Sequence, residues 1–166
     1  MKLNIVVLWI HILAAIVWLG GMFFISLVMV PVVRKLEPPE KRIEVLSSTA
    51  RRFRIVSWIA ILVLLVTGVL NSINRGVTLQ MILTGTIFLS YFGKILTVKV
   101  VLVLSMLVLS AIHDFLLGPK LITLMNTKAS NLSSFKLKKS QRYISWLARI
   151  NVLLGILVIT FAVMLS

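Results

Sequence analysis

Five ionisable side chains fall inside or at the ends of apolar runs of this 166-residue chain: His11, Lys99, His113, Asp114 and Arg149. A charge in hydrocarbon is costly, so each marks a candidate site or a buried pair. They sort into two layers. The outer layer is His11 with Lys99, which stand 88 residues apart. On the Lys99 face, Met106, Ser110 and His113 recur at helical spacing, and on the His11 face Trp18, Met22 and Met29 do the same. Two such stripes predict the lining of a central pocket, with His11, Lys99, Trp18, Met22 and Met106 as its cofactor-binding set. Imidazole nitrogens and thioether sulfurs are both able to ligate a soft or borderline metal ion, so His11 and His113 are the candidate metal ligands. The inner layer adds Asp114 and Arg149, expected to form a structural ion pair across two helices that neutralises an otherwise expensive buried charge. Simpler roles stay open. Lys99 can snorkel to the outer headgroups, His11 can make an interhelical hydrogen bond, and the methionines can simply pack a core.

The offset that relates His11 to Lys99 runs through the whole chain. Arg54-Ile55-Val56-Ser57-Trp58-Ile59-Ala60 overlays Arg142-Tyr143-Ile144-Ser145-Trp146-Leu147-Ala148 without a gap, and Pro31 falls on Pro119 and Leu36 on Leu124. This predicts one helix hairpin written twice, repeat one over 1–75 and repeat two over 89–166, joined by an outer connection at 72–94. A functional site is then expected near the pseudo-axis. Four long apolar stretches carry the hairpins: Leu3 to Val33, Ile55 to Leu70, Ile95 to Leu117, and Ile144 to Leu165. Each is near or above the ~20 residues that cross a bilayer. The expected fold is all-α, a polytopic membrane four-helix bundle within a single transmembrane domain over 1–166. Lys41 to Ala50 reads as a short amphipathic surface helix, 79–92 as an interfacial cap too short to span, and Asn126 to Lys139 as a polar loop.

The composition agrees: 60% of residues are hydrophobic and the mean hydropathy is +1.09. The net charge of +14 points to lipid rather than nucleic acid because of where it lies. Seven Lys/Arg fall between Arg34 and Arg54 and six between Lys120 and Arg142. The positive-inside rule then places those two loops in the cytoplasm and both termini outside, as in a multi-pass protein of a bacterial-type inner membrane. The basic loops should touch anionic lipid. The absence of cysteine excludes disulfides, iron–sulfur clusters and thiolate metal sites. No phosphate loop, catalytic triad or carboxylate pair is present, which excludes ordinary hydrolase and kinase chemistry. Homo-oligomerisation or a membrane partner stays open, as does enzymatic activity.

His11-Ile-Leu-Ala-Ala-Ile-Val-Trp18-Leu-Gly20-Gly21-Met-Phe, then Pro31, Arg51-Arg52-Phe53 and Thr67-Gly68-Val-Leu resemble the copper-resistance D family. So does Lys99-Val-Val-Leu-Val-Leu leading to His113-Asp114-Phe115-Leu-Leu-Gly118-Pro119. The resemblance covers nearly the whole chain and implies copper handling in an inner membrane. A more distant similarity, carried only by His11 and Lys99, is to HemJ-type protoporphyrinogen oxidases, and implies haem or porphyrin binding with a redox role. Copper or haem b is thus the expected cofactor. A third possibility, an accessory subunit without a cofactor, needs only the small-residue helix faces and the ion pair.

Overall fold

The computed structural model describes residues 2–118 and 131–164. Four of its helices are long and apolar enough to cross a membrane: Asn4–Val33, Glu40–Asn74, Tyr91–Leu117 and Trp146–Val163. The described residues contain no strand, as expected where lipid leaves the backbone no partner but itself.

Helix α1 (residues 2–33) is continuous but changes winding. Its α-helical turns at Lys2–Ala15 and Gly21–Phe24 are separated and followed by π-helical turns at Ile16–Gly20 and Ile25–Met29. A π turn inserts a residue and rotates everything after it, which re-aims the side chains below. After a short turn, α2 (Pro39–Asn74) runs unbroken for 36 residues. The expected surface helix over Lys41 to Ala50 is therefore the N-terminal extension of α2. Nothing between Glu40 and Phe53 breaks a helix, so the prolines end the turn and the remaining residues join the span.

The connection between the two hairpins holds the short helix α3 (Leu79–Leu83) and a 3-10 turn at Thr86–Leu89. Leu79, Leu83, Leu89 and Tyr91 are exposed there, consistent with apolar residues lying at a lipid interface. Helix α4 (Tyr91–Ala111) starts at Ser90, whose hydroxyl accepts the Gly93 N–H at 3.0 Å, and continues as a π-helical segment over Ile112–Leu117. Only glycine fits at 93, because a Cβ there would run into the Ile87 backbone carbonyl. Helix α5 (Asn131–Val163) closes the bundle. It includes 131–139, expected to be loop; the rest of that expected loop, with Pro119 and Leu124, lies outside the described residues.

Helix α1 packs mainly on α2, and α4 mainly on α5, giving two hairpins. One core joins them: Trp18 and Leu19 from α1, Ala60 and Ile61 from α2, Met106 from α4 and Val158 from α5. Most other apolar side chains face outward, as they do in a protein whose solvent is lipid. Close approach within the first hairpin depends on Gly21, where the Phe53 ring lies against the α1 backbone.

Candidate functional site

Polar groups inside the bundle gather at three depths. At the end of the bundle that carries the 72–94 connection, the His11 ring is half-buried between α1 and α2. Its Nδ1 lies 2.7 Å from Thr67 Oγ1, and its Cε1 packs against Gly68. The Thr67 hydroxyl donates to the Val63 carbonyl at 2.6 Å, so its single proton is already used. With that proton on Val63, His11 is assigned as donor through Nδ1–H, which puts the lone pair of the neutral ring on Nε2. Lys99 on α4 is half-buried and within electrostatic reach of the His11 ring, and Arg75, at the end of α2, is within reach of Lys99. The Arg75 guanidinium lies over the Phe92 ring at 5.6 Å. This end of the bundle thus collects three basic groups, His11, Lys99 and Arg75, two of them from the expected outer layer.

The central level is built around Asn151, which is only 8% exposed on α5. Its amide nitrogen donates to Ser110 Oγ at 2.9 Å and to Met22 Sδ at 3.4 Å, joining α4, α5 and α1. Its Oδ1 is buried and accepts no hydrogen bond. One turn outward, a Cβ on Gly155 would sit 3.5 Å from Met106 Cε, 3.6 Å from Met22 Cε and 3.1 Å from Leu19 Cδ2. The ends of two methionines from different hairpins therefore converge beside a glycine. Met106 is fully buried, and Trp18 is buried in the same core. Asn151 and Gly155 did not stand out in the sequence, although a lone amide in the run Ile144 to Leu165 carries the same cost argument as a charge. His11 and Met22 lie eleven residues apart on one helix. At about 1.5 Å per residue that is roughly 16 Å, so they occupy different levels and one ion cannot reach both.

At the opposite end of the bundle the expected Asp114–Arg149 pair does not form. Asp114 Oδ1 lies 3.0 Å from His113 Nδ1, its neighbour in the chain. Arg149 is exposed, with its guanidinium 5.9 Å from the centre of the Trp146 ring. Helical phase explains the correction. Asn151 faces the core, and a residue two positions earlier is turned by about 200°, onto the outer face. His113 and Asp114 sit in the π-helical segment. The His113 side chain is 40% exposed. Among the described residues, no three His, Asp or Glu side chains come close enough to hold a metal ion together.

A bundle of four apolar helices, with its few interior polar groups stacked at three depths, defines a multi-pass α-helical membrane protein. Residues 47–165 match the model of the copper resistance protein D family, and the chain belongs to that family. It is also 33% identical over 66 residues to an uncharacterised protein of Aquifex aeolicus (strain VF5), a match covering 39% of this chain and 45% of that protein. The chain thus spans under half the length of that relative. No solved structure matches it.

Proposed function

We propose that this protein holds or passes copper(I) within the membrane, using the thioethers of Met22 and Met106 at the centre of the bundle. What carries the reading is the convergence of those two side chains beside Gly155 in a member of a copper-resistance family. Soft sulfur donors suit copper(I), and a site without thiolate or carboxylate would select against harder divalent ions. Asn151 orients Met22 through its sulfur, which is the part a neighbouring hydrogen bond plays at a metal site. His11, with Nε2 left unprotonated by the Thr67 bond, is a second ligand position nearer the outer face, and Lys99 beside it would disfavour a second cation there. His113 is a third imidazole at the inner end. The 88-residue repeat supports a shared axis, since Met22 and Ser110, both bonded to Asn151, are equivalent positions under it.

Binding is tested by competition for copper(I) against a coloured chelator, using purified wild type, a Met22→Leu/Met106→Leu double variant and His11→Ala. The expected result is one copper(I) per chain in wild type and loss of most of that affinity in the double variant. Equal binding by wild type and the double variant would sink the central site.

A second reading is favoured by one observation, the 2.7 Å contact between His11 Nδ1 and Thr67 Oγ1, which assigns the proton to Nδ1. An imidazole whose Nδ1–H is held by a neighbour is also how an axial haem ligand is oriented. A visible absorption spectrum separates the two: a Soret band lost in His11→Ala supports haem, and a colourless protein that binds copper(I) supports the first reading.

A further inference from the structure

The repeated segment that begins at Arg54 has no part in the copper reading, yet it carries most of the unsatisfied polar atoms in the described interior. Arg54 Nε, Ser57 Oγ and Trp58 Nε1 are all buried and make no hydrogen bond within the protein. Their spacing of i, i+3 and i+4 puts them on one face of α2. Ser57 is only 5% exposed. Hydroxyls elsewhere in the spans satisfy themselves by donating to the carbonyl four residues back, as Thr67, Ser72, Thr97, Ser105 and Thr160 do. Ser57 does not. A buried polar group left without a partner destabilises the fold, and three on one face mark a place where a ligand would supply the missing bonds.

The guanidinium is also held in place. Arg54 lies 5.5 Å from the centre of the Phe115 ring, and the Trp58 ring lies 5.6 Å from the same ring at 42°. Arg54 Nη2 approaches the open side of Gly118. Asp114, the carboxylate on that part of α4, is turned to His113.

The geometry points to an oxyanion site at the inner end of the first hairpin, in which Arg54, Ser57 and Trp58 donate to one phosphate group. Arginine and indole nitrogens only donate, and the hydroxyl can, so the ligand must be an acceptor; the positive charge selects an anion. Depth indicates where a phosphate could come from. Arg54 stands where the basic segment of α2 gives way to the apolar run from Ile55, the level of lipid headgroups. Arg51 and Arg52, exposed one turn before it, would draw anions to the entrance. The source of the phosphate is either an anionic phospholipid or a soluble phosphate. In the second repeat, the equivalent Arg142 and Trp146 are exposed, so Arg142 is a charge-matched control.

The experiment uses full-length protein stripped of lipid in neutral detergent, and native mass spectrometry to count what it retains. Phosphatidylglycerol, phosphatidylcholine and inorganic phosphate are titrated separately onto wild type, Arg54→Gln, Ser57→Ala, Trp58→Phe and Arg142→Gln. Wild type should retain one phosphatidylglycerol at least tenfold more tightly than phosphatidylcholine. Arg54→Gln should lose about tenfold in affinity, and Ser57→Ala and Trp58→Phe about threefold each, as for single hydrogen bonds. Arg142→Gln should behave as wild type. Saturable inorganic phosphate binding with the same variant pattern, without lipid preference, would support the site and assign it a soluble ligand. Equal losses in Arg54→Gln and Arg142→Gln would show only diffuse charge attraction and overturn the proposal, as would a wild type that binds neither. If Arg54→Gln fails to fold by circular dichroism, Ser57→Ala and Trp58→Phe decide. Both preserve the Phe115 contacts, and unchanged binding in both overturns the site.

Discussion

His11 on the first helix and Thr67 on the second are joined by a 2.7 Å hydrogen bond whose direction is set by Thr67, because its hydroxyl proton is already committed to the Val63 carbonyl. The bond lies within the first hairpin, so the histidine is oriented by its own helix partner.

Thr67→Val keeps the side-chain shape and removes the acceptor. It should destabilise the protein by about 0.5–1.5 kcal/mol, the range for interhelical hydrogen bonds in membranes. Thr67→Ser should recover most of that loss. Unfolding in mixed micelles measures both, and identical stability for the two variants would mean that the bond contributes nothing.

The outer cap has a steric keystone at Gly93. Any Cβ there meets the Ile87 carbonyl, which is backbone and cannot rotate away. Gly93→Ala should cost about 1–3 kcal/mol and make the segment 79–90 more accessible to protease. Gly20→Ala, with nothing within 4 Å of the new methyl, should be neutral or slightly stabilising. The contrast between the two glycines is the measurement. Equal melting temperatures would contradict the steric account.

Asp114 should couple to His113 and not to Arg149. In double-mutant cycles, Asp114→Asn with Arg149→Gln should be additive within about 0.5 kcal/mol. Asp114→Asn with His113→Gln should show a coupling of up to about 1 kcal/mol at a pH where the imidazole is protonated; the pair is partly exposed, which limits its strength. Strong coupling between Asp114 and Arg149 would contradict the structure.

The Lys/Arg bias of the 34–54 and 120–142 segments predicts that both face the cytoplasm. Cysteines introduced at Glu40 and Lys136 should resist an impermeant thiol reagent in intact cells and react after permeabilisation. Labelling of either site before permeabilisation would invert the assignment.

The four spans could be read from sequence because lipid removes choices. An apolar run of sufficient length has to become helix, as no other open structure satisfies its backbone there. The position of Met106 on a core-facing stripe comes from helical periodicity. That reading fails where helical phase changes. Three π-helical segments, at Ile16–Gly20, Ile25–Met29 and Ile112–Leu117, rotate the residues beyond them, and no residue pattern in these spans marks them. Tertiary packing alone therefore decided that Asp114 turns to His113. It decided that Asn151, a lone amide in an apolar run, links both hairpins. It also decided that of the two repeated arginines Arg54 is drawn under Phe115 while Arg142 stays outside. Sequence sets which residues must be in the membrane, because transfer energy depends on composition. Which of them face one another depends on rotation about each helix axis, and that is settled only when four helices pack together.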